Sequence, residues 1–155
     1  MTSTDPMRII PHLLVLAGLL ALTSCQTGPP VHMDIGFAAT TPVHRAVLQY
    51  RPNPGATPIH AEAAVRFEAP SRFELVAWKG PEAWVTLQID ASTWCIEFPT
   101  QRRRFTGGDP HRAPAPIQVW LALRESFVKD APSFPSAIAV TRNGATLRIQ
   151  FPAPR

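Results

Sequence analysis

Apolar and polar residues alternate one by one along most of the chain that follows residue 42. In the clearest run, residues 59–68, an apolar side chain recurs at every second position from Ile59 to Phe67. A period of two is typical of a β-strand that buries one side and exposes the other. The same alternation predicts further strands at residues 43–51, 72–78, 83–90, 93–98, 137–141 and 145–151.

Short turn sequences separate neighbouring strands. Gly80-Pro81 and residues 90–92 supply two such turns, and Asn143-Gly144 is a strong signal for a two-residue hairpin loop. Strands that follow one another this closely favour an antiparallel meander, which is the topology that we predict.

One segment breaks the alternation and has the spacing of a helix. Residues 117–128 follow Pro114 and Pro116, and proline is common at the first turn of a helix. The predicted fold class is therefore mainly β (α+β), an antiparallel meander that forms an incomplete barrel or a strongly curved sheet covered by one helix. The apolar helix face predicted to cover the sheet consists of Ile117, Trp120, Leu121 and Leu123.

The beginning of the chain carries a short apolar segment that ends at a cysteine. Residues 9–22 are mostly apolar but fall short of the roughly 20 apolar residues that a membrane-spanning helix needs. The segment closes with Leu22-Thr23-Ser24-Cys25, which resembles the lipobox of bacterial lipoproteins. The resemblance implies a signal peptide, cleavage before Cys25 and acylation of its thiol, for example with palmitate. An ordinary signal peptide that happens to have a cysteine at its cleavage site is the alternative.

These features divide the chain into three predicted parts, a signal peptide at 1–24, a lipidated cysteine with a flexible tether at 25–41, and a β domain at 42–155. The tether is small, polar and rich in Gly and Pro, and fully extended it reaches roughly 50 Å. By resemblance to the bacterial sorting rule, Gln26 in place of an aspartate favours the outer membrane. We expect a protein on the periplasmic face of that membrane, held there by its acyl chains.

The charge balance is basic, with 15 Lys and Arg residues against 11 Asp and Glu residues. This balance favours anionic surfaces such as lipid head groups. No nucleic-acid motif surrounds the arginines, so no nucleic-acid partner is expected. The densest charge is Arg102-Arg103-Arg104; on a strand, Arg102 and Arg104 would share one face with Arg103 opposite. Phosphate binding and a charged edge strand that resists pairing both fit this run.

Residue patterns of known catalytic or metal chemistry are missing from the sequence. There is no Gly-x-Ser-x-Gly elbow, no phosphate-binding glycine loop and no Cys-x-x-Cys pair, so we expect no enzyme activity and no cofactor. His60 and Glu62 share a strand face but lack a third ligand, and no metal is predicted. Cys95 has no partner if Cys25 is lipidated, and it is expected to be a partly buried, small apolar side chain.

The order of motifs in the domain resembles the LolA/LolB superfamily of envelope lipoproteins and carriers. In that superfamily an incomplete antiparallel barrel, closed by helices, encloses an apolar cavity that holds the acyl chains of lipoproteins in transit. The resemblance covers about residues 43–128. The segments that carry it are Phe67, Pro70-Ser71-Arg72-Phe73-Glu74-Leu75, Val85-Thr86-Leu87, Trp94-Cys95-Ile96 and Pro116-Ile117-Gln118-Val119-Trp120.

The resemblance implies a function in lipid or lipoprotein trafficking, with a hydrophobic ligand such as a lipid or a lipoprotein acyl chain in the barrel. A non-catalytic envelope scaffold with a fully packed core, which docks a protein partner on its surface, is the alternative. The same set of inward-facing apolar residues would line a ligand cavity or form a packed core. The set consists of Val65, Phe67, Phe73, Leu75, Val85, Leu87, Ile96, Phe98 and Trp120.

Two tryptophans flank the turn at residues 79–82, where the LolB receptor carries a protruding apolar residue. Here the turn itself is polar. Trp78 and Trp84 are therefore the candidates for membrane contact, because tryptophan favours membrane interfaces. Cross-strand packing at the end of a hairpin is the alternative explanation for both.

The substitution Cys25→Ala is expected to abolish lipid attachment, because it removes the thiol that accepts the acyl chain. Metabolic labelling with an alkyne-bearing palmitate measures this directly. Cys95→Ala is the matched control, since Cys95 is the other cysteine of the chain, and it should leave the labelling unchanged. Labelling that survives Cys25→Ala would contradict the lipoprotein interpretation.

Overall fold

Strands joined in one antiparallel sheet make up most of the computed structural model, which describes residues 37–38, 40–130 and 134–152. The predicted signal peptide, Cys25 and most of the tether lie outside the described residues. Within them, the structure has eight strands in the order β6-β5-β4-β3-β2-β1-β8-β7. The strands are β1 His44–Arg51, β2 Ile59–Glu68, β3 Arg72–Lys79, β4 Glu82–Ile89, β5 Trp94–Phe98, β6 Arg103–Gly107, β7 Ala137–Arg142 and β8 Ala145–Gln150.

The sheet curls into a half-barrel, and the predicted fold class is confirmed. The first six strands form the predicted meander, and β8 then returns beside β1 and leaves β7 at the far edge. The alternation seen in the sequence separates the two faces. On β1, for example, Ala46 and Leu48 are buried on the inner face, whereas Arg45 and Val47 are exposed on the outer face.

A single helix in the described residues, α1 Ala115–Asp130, lies over the inner face. It is longer than the predicted 117–128 by two residues at each end. Its interior side carries Trp120, Leu123 and Phe127, whose spacing of three and four residues places them on one face, and all three are buried. No helix among the described residues has the length and apolar character needed to cross a membrane.

Polar contacts join the first residue and the middle of α1 to turns of the sheet. Arg124 donates a hydrogen bond from Nη1 to the carbonyl oxygen of Asp90, at 3.1 Å, in the turn between β4 and β5. Asn143, in the predicted hairpin loop between β7 and β8, donates from Nδ2 to the carbonyl oxygen of Ala115 at 3.3 Å. Asn143 and Gly144 both have positive φ, 51° and 79°, as the predicted Asn-Gly turn requires.

A β-bulge interrupts the alternation in β4. The register between β3 and β4 shifts at Ala77 and Trp78, so that Ala77 pairs with Val85 while Trp78 pairs with Ala83. Trp84 is the extra residue, and its side chain turns to the inner side, where it is 8% exposed. The bulge therefore adds one large aromatic side chain to the interior of the half-barrel.

The substitution Gly107→Ala is expected to lower the free energy of unfolding by about 1–3 kcal/mol, as overpacking does in a filled interior. A Cβ atom at this position would lie 2.6 Å from Cζ2 of the buried Trp94 ring, which faces Gly107 across β5 and β6. Urea unfolding measures the loss. Gly55→Ala is the control, since the nearest atom to its Cβ would be 3.9 Å away, and it should cost nothing. Equal stability of the two variants would contradict this packing.

Candidate functional site

The structure brings the nine predicted cavity residues together on the inner face, as one cluster with α1. Seven of them are fully buried with 0% exposure, and Phe67 and Phe98 are partly buried against the same cluster. Helix side chains fill the space between them. The ring of Phe127 lies 5.1 Å from that of Phe73 and 5.4 Å from that of Phe67, measured between centroids. Eight of these residues therefore form a packed core, which is one of the two alternatives that their pattern left open, and Phe98 lies at the edge of that core.

Open space lies instead at the ends of the inner face, and one pocket lies beside the start of α1. A cavity of about 340 Å³ opens there, and its volume falls within the usual range of small-molecule sites. We call it the aromatic mouth, and its main apolar lining residues are Tyr50, Ile59, Trp84, Phe98, Phe105 and Ile117.

Three local features of the chain build the aromatic mouth. The bulge in β4 turns Trp84 inward, where its ring lies 6.0 Å from that of Tyr50. The pairing of β5 with β6 sets Phe105 opposite Ile96, on the inner face, and Phe105 contacts Phe98 edge-to-face at 6.4 Å. Pro114 and Pro116 form the helical wall, because α1 begins between them.

The far end of the inner face carries a cluster of aromatic rings beside a second open pocket of about 500 Å³, which His44, Phe134 and Phe151 border. The rings of Phe134 and Phe151 are 4.7 Å apart, and Phe134 also stacks on His44 at 3.6 Å. Phe127 of α1 contacts both phenylalanines. Burial lowers the pKa of His44 below its ordinary value of 6.5, so the imidazole is neutral at neutral pH. The half-barrel thus has open space at both ends, and the aromatic mouth is the pocket that the start of α1 borders.

Tyr50 is a polar residue of the aromatic mouth that packs against the core. Its ring lies 5.0 Å from that of Trp120. Burial raises the pKa of the Tyr50 phenol above its ordinary value of 10.0, and a hydrogen bond from the Trp120 indole partly offsets that rise. Tyr50 is therefore a neutral side chain at any physiological pH.

The three consecutive arginines have three different positions. Arg102 has a positive φ of 52° at the end of the short 3-10 helix Pro99–Gln101, so it precedes β6. Our expectation that it shares a strand face with Arg104 is wrong, because that backbone conformation keeps Arg102 out of the strand. Arg104 lies on the outer face, 3.2 Å from Glu97. Arg103 lies opposite Phe98 on the inner side of β6, at the rim of the aromatic mouth.

The two tryptophans proposed for membrane contact lie on opposite faces of the sheet. Trp84 is buried inside, so membrane contact is excluded for it, and the bulge at this position is the reason. Trp78 lies on the outer face and lines a shallow open groove of about 850 Å³. Val43 and Val47 border the same groove and are each 52% exposed, which is unusual for valine. This groove is larger than the aromatic mouth, but it is an open surface feature with charged sides at Arg45 and Glu62.

Potential metal and thiol chemistry in the described part of the chain is limited. No three His, Cys, Asp or Glu side chains come together there as a metal site would require. His60 and Glu62 both face outward on β2. Cys95 is 4% exposed on β5, and burial raises the pKa of its thiol, which disfavours the reactive thiolate.

Of the residues that line the aromatic mouth, the sequence predicted Phe98 as a cavity residue, Trp84 as a membrane contact and Arg103 as part of a charged run. It did not predict Tyr50 or Phe105. Tyr50 and Phe105 occupy ordinary inward positions of alternating strands, and nothing in their spacing distinguishes a rim from a core.

No known protein family matches this sequence, and no curated protein is detectably similar to it.

The phenol of Tyr50 is expected to ionise above its ordinary pKa in the folded protein and at that pKa in denaturant. Ultraviolet absorbance measures this cleanly, because the chain contains a single tyrosine. The neutral phenol is the form that the fold favours. Its contribution to stability is therefore complete below the unfolded pKa of about 10 and is lost as the pH rises through the folded pKa. Ionisation at the same pH in both states would contradict the burial of Tyr50.

Proposed function

We propose that this protein is a lipid-anchored bacterial lipoprotein whose β domain binds an acyl chain in the aromatic mouth. It would act in lipid or lipoprotein trafficking, on the periplasmic face of the outer membrane. The observation that carries the proposal is an apolar cavity of about 340 Å³ at the open end of a curled sheet, walled by the rings of Tyr50, Trp84, Phe98 and Phe105.

The chemistry of the aromatic mouth suits a hydrocarbon chain. Each methylene group moved from water into an apolar site contributes about 0.8 kcal/mol. About ten buried methylenes would therefore contribute about 8 kcal/mol, equivalent to a micromolar dissociation constant before the cost of immobilising the chain. Rigid aromatic walls reduce that cost on the protein side, because the rings are already held by contacts with Trp120.

The amino-terminal sequence supports the membrane part of the proposal. A lipobox at Cys25 and a tether reaching roughly 50 Å would keep the domain beside the bilayer that supplies acyl chains. Several acyl chains on the cysteine would hold it there permanently, whereas a single chain binds reversibly. The resemblance to the LolA/LolB superfamily supports the same activity, although the proposed binding position lies at the end of the sheet.

The outer groove favours a second candidate function, a scaffold that docks an envelope protein. Val43, Val47 and Trp78 form an exposed apolar surface there, of the kind that marks interaction sites. A scaffold of this kind needs no ligand in the aromatic mouth. The two functions therefore differ in which face of the sheet is occupied.

Quenching of tryptophan fluorescence by a brominated fatty acid distinguishes these two faces. The mature acylated protein is held in phosphatidylcholine nanodiscs, and quencher is added below its micellar concentration. We expect quenching that is largely lost in Trp84→Phe, because Trp84 lines the aromatic mouth. Trp78→Phe is the matched control, since Trp78 lines the outer groove, and it should keep the quenching.

Two results would count against ligand binding in the aromatic mouth. Quenching that is absent from the wild-type protein, above the level set by nanodisc partitioning, would contradict acyl-chain binding. Quenching that is lost in Trp78→Phe and kept in Trp84→Phe would show that the ligand binds in the outer groove.

A further inference from the structure

We propose that the acyl ligand of the aromatic mouth is a free fatty acid, and that Arg103 at the rim binds its carboxylate. This inference rests on the proposed function and adds the chemical class of the ligand. It follows from three observations on the lining of the mouth: its charge, the pairing state of Arg103 and the volume of the cavity.

The first observation is that Arg103 is the single charged residue among the described residues that line the aromatic mouth. The remaining lining side chains are aromatic, aliphatic or proline, apart from the amide of Gln101. Tyr50 adds no charge, since its phenol is neutral. An apolar cavity with one cation at its rim is complementary to a molecule with one hydrocarbon chain and one anionic end.

The second observation is that the Arg103 guanidinium has no carboxylate partner in the described part of the chain. Its neighbour Arg104 pairs with Glu97 at 3.2 Å, and Arg112 lies 3.5 Å from Asp109. Arg103 instead lies over the ring of Phe105, with its Cζ atom 5.2 Å from the ring centroid. This contact holds the planar group beside the cavity and leaves its N–H donors available, and guanidinium binds carboxylates through two parallel hydrogen bonds.

The third observation is the volume of the cavity. About 340 Å³ lies at the lower end of the range for small-molecule sites, which suits one chain better than the two chains of a phospholipid. The start of α1 borders the same space through Pro116 and Ile117. The positive end of the helix dipole therefore adds to the field of Arg103 and favours an anion in the same place.

The test compares a brominated fatty acid with its methyl ester. The two ligands have the same hydrocarbon chain and differ in the charge of the carboxyl end. Binding is measured as quenching of Trp84 fluorescence in the mature protein, held in phosphatidylcholine nanodiscs. The free ligand concentration is corrected for partitioning into the lipid, which empty nanodiscs measure. The wild-type protein should bind the acid about tenfold more tightly than the ester, the effect expected of one charge-assisted hydrogen-bonded pair at a rim. Raising the salt concentration should weaken binding of the fatty acid and leave binding of the ester unchanged.

Variants identify the cation responsible. Arg103→Gln should lower the binding affinity for the fatty acid to that for the ester and leave the affinity for the ester unchanged. Arg102→Gln is the matched control, because it removes the same charge from the adjacent residue, which does not line the aromatic mouth. It should keep the preference for the acid.

The outcomes separate this inference from the proposed function. Equal binding of acid and ester by the wild-type protein would overturn the carboxylate inference and leave acyl-chain binding intact. A preference for the acid that survives Arg103→Gln would also overturn it, because the anion would then be bound elsewhere. Absence of Trp84 quenching by both ligands would overturn the proposed function and this inference together.

Discussion

In the described part of the chain one helix, α1, covers the apolar face of an eight-stranded sheet, and the curl of the sheet follows from that constraint. An α-helix with its side chains is about 10–12 Å wide, while neighbouring strands are about 4.8 Å apart. A flat sheet of eight strands would leave most of its inner face in water. Curling brings side chains from distant strands to the same helix, so that Trp120 contacts Tyr50 of β1, Trp84 of β4 and Phe98 of β5.

Because the curled sheet does not close, it has two edge strands among the described residues, β6 and β7. An exposed edge strand invites pairing with another chain, and short length and charge oppose it. β6 has five residues, and its two arginines point to opposite faces. The prediction that the arginine run belongs to a charged edge strand is thus confirmed for Arg103 and Arg104. Arg103 combines this protective role with its position at the rim of the aromatic mouth.

The sequence predicted the fold better than it predicted the candidate site, and the difference has a physical reason. Alternation and turn signals predicted the helix and seven of the eight described strands, because burial on one face imposes a regular period; β6 was considered only as a possible charged edge strand. They failed at Trp84 and Arg102, where one inserted residue or one positive φ reverses the direction of a side chain. The aromatic mouth depends on the first of these positions, because the bulge turns Trp84 into its wall. The period of the strands predicted that Phe98 faces inward, and it carried no information on where the core ends and the aromatic mouth begins.

The position of the aromatic mouth follows from where α1 is able to begin. Pro114 ends the preceding extended segment, and its carbonyl oxygen accepts the first helical hydrogen bond, from the amide of Ile117 at 2.8 Å. A helix that began earlier would extend over the space now bordered by Phe98 and Phe105 and would close it with backbone and side chains. Instead, the bulge at Trp84 and the rings of Tyr50 and Phe98 line a gap that the helix does not fill. The structural features that end the core at this point are therefore the same ones that create a cavity with a cation at its rim.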